Sequence, residues 1–298
     1  MDDAAPEPPA APVTADTATA PTRPEVVEEE IAPPVVVVMV ARDPGPWFED
    51  ALASVAGQTY PSCTLLVVDA ASTLPLDDRV ALGAPGAHVL RLDEASGFAA
   101  AANAGAEAVQ GAAFLVFCHD DVRFEPDVVQ QLVEESFRSN AAVVGPKLVA
   151  WRHADRLLAV GMGADKVAFP APMVEHLELD QEQHDAVDDV FFVPTAAMLV
   201  RADLFEAVGG FDPAFGGTGA DLELCWRAHV AGARVLVAPI ARGALRGRTE
   251  RAATPSTPYG SARRRRCARS AWPTAGGIGC GCGRSSACCC WPSSSSAW

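Results

Sequence analysis

Two adjacent carboxylates at the end of an apolar run are the first residues with chemistry in them. Phe114-Leu115-Val116-Phe117-Cys118 suits a buried strand of a parallel sheet, and His119-Asp120-Asp121 follows it directly. In open α/β sheets ligands bind beyond the carboxyl ends of the strands, so a functional pair belongs there. Neighbouring acids repel one another, a hard divalent cation relieves that repulsion, and carboxylate oxygen suits such a cation. One acid can hold the metal while the other accepts a hydrogen bond from a ribose. The competing reading is a polar strand-to-helix turn, where Asp is common. His119 reads as a turn residue without a role. Leu65-Leu66-Val67-Val68-Asp69 repeats the arrangement, an apolar strand closed by an acid.

The elements that must position these acids read as alternating strands and helices. Val35-Val36-Val37-Val38-Met39-Val40 is a β-branched run ended by Arg42-Asp43-Pro44-Gly45-Pro46, which predicts a central strand and a turn. Phe48, Leu52 and Val55 then recur at helical spacing. Val89-Leu90-Arg91-Leu92 is a short third strand. Gly97 leads into an Ala-rich helix carrying Asn103 and Gly105. Pro126 opens a helix with an apolar face of Val129, Leu132, Val133 and Phe137, and a strand follows at 142–145. Residues 150–190 loosen into a region that shapes a substrate site. Strands are predicted at 190–193 and 197–200, a short helix capped by Asp203, a helix over 221–231 and a last strand over 235–238. This order predicts a mostly parallel α/β sheet with helices on both faces.

Composition sets the limits. The chain has 298 residues, 49% hydrophobic, with a net charge of −15, which argues against nucleic acid as a partner. Residues 1–34, rich in Pro, Ala and acids, predict a disordered tail. Cys63, Cys118 and Cys225 are scattered through the body and read as reduced thiols of an intracellular protein. The other six cysteines lie in 242–298, where ten Arg accompany a single acid, Glu250. That end reads as a basic tail for anionic lipid or nucleic acid, or as coding sequence translated out of frame; the Arg/Ser/Cys/Gly bias favours the latter. Cys280 and Cys282 lack the spacing and the His partner of a zinc site. No apolar run reaches a membrane-spanning length, and the N-terminus has no signal-peptide pattern. No Gly-rich, Lys-containing phosphate loop and no dinucleotide fingerprint follows the first strand, which ranks nucleotidyltransferases and dinucleotide oxidoreductases low.

Residues 35–241 resemble the family 2 inverting glycosyltransferases, whose nucleotide-sugar-binding domain is called GT-A. The resemblance is carried by the opening strand with Ala41-Arg42, Gln58-Thr59-Tyr60-Pro61, Val67-Val68-Asp69-Ala70-Ala71-Ser72 and Gly97-Phe98-Ala99, with Asn103 and Gly105 beyond it. It continues in His119-Asp120-Asp121, Gly209-Gly210-Phe211-Asp212 and the segment from Asp221 to Arg227. It implies a Rossmann-like GT-A sheet, with Ala41, Arg42, Asp69 and Asp120 lining the nucleotide-sugar site. Asp69 would face the base, Asp120 the ribose, and Asp121 would hold Mn²⁺ or Mg²⁺ on the diphosphate. Asp221 would be the general base, its competing reading being a helix cap. The family commonly places a metal-site His after the last strand; here no His follows His229. The implied partners are a nucleotide-diphosphate sugar donor and a glycan or lipid-linked acceptor, in cell-envelope or polysaccharide synthesis. The implied place is the cytoplasm, with association at the inner face of the membrane left open. A catalytically inactive nucleotide-sugar-binding head of a truncated membrane glycosyltransferase is the alternative.

Overall fold

The computed structural model describes residues 32–215 and 219–246. The chain divides into two units, Met1–Ala32 and Pro33–Trp298, and every element below belongs to the second. Of the predicted tail over 1–34, residues 1–31 lie outside the described residues, as does most of 242–298.

In chain order the elements are β1 (Val35–Ala41), α1 (Phe48–Ala56), β2 (Cys63–Asp69), α2 (Asp77–Gly83), β3 (His88–Arg91), α3 (Phe98–Ala108), β4 (Phe114–His119), β5 (Val122–Phe124), α4 (Val128–Ser139) and β6 (Val143–Ala150). There follow β7 (His153–Ala159), β8 (Met162–Ala164), β9 (Pro170–Pro172), β10 (Asp188–Asp189), β11 (Ala197–Arg201), α5 (Ala202–Ala207), a 3₁₀ turn (Pro213–Phe215), α6 (Ala220–Val230) and β12 (Val235–Leu245). The main sheet runs β10-β12-β6-β11-β4-β1-β2-β3, with β5 on β12 and β7 on β6; β8 and β9 form a separate hairpin. β1 is parallel to both β2 and β4, and β2 to β3. β11 enters antiparallel between β4 and β6.

The β-branched runs are continuous because both sheet faces are covered. Val37, Val38, Met39, Val67, Val68, Val116, Phe117 and Leu199 are fully buried. α3 lies close on β1 and β2, and Gly105 is the reason: a Cβ there would stand 2.6 Å from Val38 and 2.7 Å from Val68. The Gln58-Thr59-Tyr60 segment ties α1 to the start of α4. Gln58 Nε2 donates to the Glu125 carbonyl at 2.7 Å, and its Oε1 accepts the Val129 N–H at 2.9 Å. An otherwise orphaned helix N–H is thereby satisfied.

Several elements depart from the sequence expectation. Residues 190–193 are not a strand: Val190 bonds to Val235, while Phe192 bonds to Met162, so no single ladder forms. Asp203 does not cap α5; the cap position is Arg201, because β11 runs straight into the helix, and Asp203 sits in its first turn paired with Arg201. Phe137 is 63% exposed and lies edge-on to Phe114 at the end of α4. The last strand passes the expected boundary at 241 and continues to Leu245, since Gly243, Ala244 and Leu245 pair with β5 on one side and β6 on the other.

Candidate active site

The parallel register places the ends of three strands side by side. Ala41 pairs with Asp69, and Val40 with His119, so Arg42, Asp69 and Asp120 leave the sheet at the same edge. From β1 the chain winds outward through β2 to β3, then returns to β4 on the other side of β1. The crevice between β1 and β4 is therefore the topological switch point, where ligands of open α/β sheets bind.

The turns beyond β1 and β2 are stitched together. The Asp43 N–H donates to Ser72 Oγ at 3.0 Å, and Asp43 Oδ1 accepts the Thr73 N–H at 2.7 Å. Arg79 of α2 braces the same loop, donating to the Pro44 and Gly45 carbonyls at 2.8 Å each and pairing with Glu49. Arg42 stands exposed at its base, beside the buried Ala41.

Asp69 is fully buried. Its Oδ1 accepts the Ser72 N–H at 2.8 Å, and its Oδ2 accepts from the Arg91 guanidinium. The register explains this pairing: Arg91 is its partner on β3, and a desolvated carboxylate needs one. Arg91 is the half-exposed end of the pair and also donates to the Ser72 carbonyl at 2.8 Å.

Asp120 and Asp121 stand at the turn between β4 and β5, both partly buried. Burial pushes the Asp120 carboxyl up to about 7, Asp121 adds to the push, and Arg79 opposes it. An acid so raised is one that a bound cation would relieve. Among the described residues no three His, Cys, Asp or Glu side chains converge as a ready cage. The pair nevertheless fits a hard divalent cation of the kind that takes one or two carboxylates and completes its shell with substrate phosphates.

Asp221 arrives from the far side of the chain. The segment before it is held from two directions. Asn103 of α3 makes a paired bond with Phe211, Nδ2 to the carbonyl at 2.7 Å and Oδ1 from the N–H at 2.9 Å. Arg227 of α6 donates to the carbonyls of Val208 and Gly210 and pairs with Glu223 one turn back. Gly209 and Gly210 both carry positive φ, +80° and +72°, a doubled left-handed turn that side chains resist. Asp221 itself is buried, in the first turn of α6, and its Oδ1 accepts the Leu222 N–H at 2.9 Å. It is not the helix cap: that position is Gly219, at φ +92°.

His119, given no role by the sequence reading, stands where these parts meet. Its Nε2 lies 3.3 Å from Thr195 Oγ1, and its ring meets Phe98 edge-on at 4.8 Å. Burial pushes the imidazole down, while Asp121 and Asp221 both pull it up. The two acids thus act on one ring. Thr195 precedes β11 and Asp221 opens α6, so only the fold brings them together; the one sequence signal was adjacency to Asp120.

An α/β sheet of this topology, with an acid pair at its switch point, has the GT-A-like fold. A structure of GalNAc-T7 with UDP, GalNAc and Mn²⁺ shares it, with a TM-score of 0.59 at 14% identity, covering 73% of this chain and 44% of that one. The sequence profile of glycosyl transferase family 2 matches residues 35–209, and the chain belongs to that family. The match includes Asp69, Asp120 and Asp121 and ends before Asp221. Pre-mycofactocin glycosyltransferases of Mycobacterium tuberculosis, strains CDC 1551 / Oshkosh and ATCC 25618 / H37Rv, are each 31% identical over 189 residues. The aligned part is 62% of this chain and 38% of theirs, so the chain spans less than two-fifths of those relatives. Among the described residues no helix is long and apolar enough to cross a membrane.

Proposed function

We propose that the chain is a metal-dependent, inverting glycosyltransferase that moves a hexosyl group from a nucleotide-diphosphate sugar to an acceptor hydroxyl, on a glycan or lipid-linked acceptor of the cell envelope. The observation that carries this reading is the Asp120–Asp121 pair directly after β4, at the β1/β4 switch point, beside a His119 ring on which Asp121 and Asp221 both act electrostatically. Arg42 and Asp120 line the donor crevice, and the Asp69–Arg91 pair forms its base end. Asp121 with Asp120 would hold Mn²⁺ or Mg²⁺, which when bound supplies positive charge to the diphosphate. Asp221 takes the proton of the acceptor hydroxyl. The acceptor oxygen bonds to the anomeric carbon as the carbon–phosphate-oxygen bond breaks, and the electron pair leaves on the diphosphate. A single displacement of this kind inverts the anomeric centre. The clamp of Asn103 and Arg227 on the Gly209-Gly210 turn sets the position of Asp221.

Thermal melting with UDP, dTDP and GDP sugars, with and without Mn²⁺, tests the reading. A ligand that binds only the folded chain stabilises it by about 2.7 kcal/mol at a hundred times its dissociation constant. One donor series should raise the melting temperature, most strongly with Mn²⁺, and Asp121→Ala should lose the Mn²⁺-dependent part while melting normally alone. Equal Mn²⁺-dependent stabilisation in that variant would remove Asp121 from the site.

A further inference from the structure

The residue that leaves β12 is tied directly to the acid pair. The Arg246 N–H donates to the Asp121 carbonyl at 2.9 Å, which fixes the backbone there against the β4–β5 turn. Its guanidinium lies over the Trp47 indole, 3.9 Å from the ring centroid. Trp47 belongs to the loop that leaves β1 and lies against Gly45, where a Cβ would stand 2.1 Å from the ring. The indole therefore needs a glycine at that point to lie as it does. Trp47 and Arg246 are both partly buried. Among the described residues the Arg246 guanidinium makes no hydrogen bond and no ion pair; its one partner is the indole face. A stacked guanidinium keeps its in-plane N–H groups available, and that planar fork matches phosphate oxygens. Half-buried cations without a counter-ion are costly to hold. This one is held at the mouth of the β1/β4 crevice, on the loop of Arg42 and on the backbone of Asp121.

We propose that Arg246, held flat on Trp47, is a binding residue for the diphosphate of the nucleotide donor, a fixed positive charge that receives the leaving group beside the divalent cation that Asp121 would hold. The proposal rests on the donor reading above and adds a residue and a ligand group to it. Among the described residues, Arg246 is the basic group that directly follows β12. Its charge neutralises a diphosphate even when no metal is bound.

Calorimetry on the full 298-residue chain provides the test, with UDP, dTDP, GDP, their nucleosides and inorganic pyrophosphate, each in Mg²⁺ and in EDTA. Arg246→Gln should weaken the best nucleoside diphosphate about ten-fold or more, as expected for losing a charge-assisted bond, and leave the nucleoside unchanged. The loss should be greatest in EDTA, where no metal ion shares the charge of the diphosphate with Arg246. Arg246→Lys should recover part of the affinity, and Trp47→Leu should cost less than Arg246→Gln because the charge stays. Diphosphate affinity unchanged in Arg246→Gln, with the parent binding normally, overturns this proposal and leaves the donor reading standing. Equal losses for nucleoside and diphosphate, with a lowered melting temperature, assign Arg246 a purely structural role and also overturn it. A parent chain that binds none of the three nucleoside diphosphates overturns both.

Discussion

Asp221 is buried, sits in the first turn of α6 and leaves the cap position to Gly219. A capping role would have made Asn an equal substitute; a base role makes Asn inert, because the shape survives and the basicity does not. Asp221→Asn should therefore reduce transfer by about 10²–10⁴-fold, the range of a general base, with donor affinity in calorimetry essentially unchanged. Transfer retained within a few-fold would take the base away from Asp221. At this scale the sequence was informative about which acids matter and silent on what they face. Asp120 and Asp121 were legible because they close an apolar strand. Asp69 was legible for the same reason, yet its pairing with Arg91 depends on the β2–β3 register, which no local pattern states. His119 acquires its neighbours from Thr195 and α6, far along the chain, and so could not be read from its own surroundings.

Among the elements, the long buried strands and amphipathic helices were legible because their periods run for several residues, as in β1, β2, β4 and α4. Some short ones were not: α2 has a single buried residue, Val80, and the β8–β9 hairpin has three-residue strands containing Gly and Pro. The region between β6 and β10 is organised by a feature that periodicity cannot carry, a fully buried lysine. Lys147 Nζ donates to Asp180 at 3.1 Å and to Asp185, and Arg242 reaches Asp180 at 3.1 Å from β12. Burial pushes the Asp180 carboxyl up, but the bond and charge of Lys147, with Arg242, more than reverse that, and it stays below its ordinary range. This cluster holds the segment after β9 against the sheet. Lys147→Met should cost about 3–5 kcal/mol in urea unfolding, since it leaves a buried carboxylate short of its partner. Adding Asp180→Leu should then cost far less than the two single changes together, the mark of a coupled pair. Strict additivity would mean that the two residues stabilise the segment independently.

At the scale of the whole molecule, the two ends of the described chain lie on opposite edges of the sheet, the start at the amino ends of β1 and β4 and the finish at the edge that carries the site. At the start, Pro33 and Pro34 precede β1, and their carbonyls accept from Tyr60 Oη at 2.8 Å and from the Ala113 N–H at 2.8 Å. At the finish, among the described residues β5 pairs only with the end of β12, through Gly243, Ala244 and Leu245, and β5 follows Asp121 directly. The composition after 241 gave no hint of this, because Arg-Gly-Ala-Leu-Arg reads like the low-complexity sequence beyond it. In space its backbone closes the β4–β5 turn from outside, and the Arg246 N–H bonds to Asp121. Stability and donor binding should therefore fail together when this end is cut. A chain ending at Arg246 should melt as a cooperative unit and bind nucleoside diphosphate. A chain ending at Ala241 loses the ladder to β5 and part of that to β6, each bond worth about 0.5–1.5 kcal/mol net. Its melting temperature should fall by several degrees, and nucleoside diphosphate binding should be lost even at temperatures where it stays folded. If the shorter chain binds diphosphate normally below its melting point, the end of β12 supports the fold without supporting the site, and the coupling between β5, Asp121 and Arg246 is wrong.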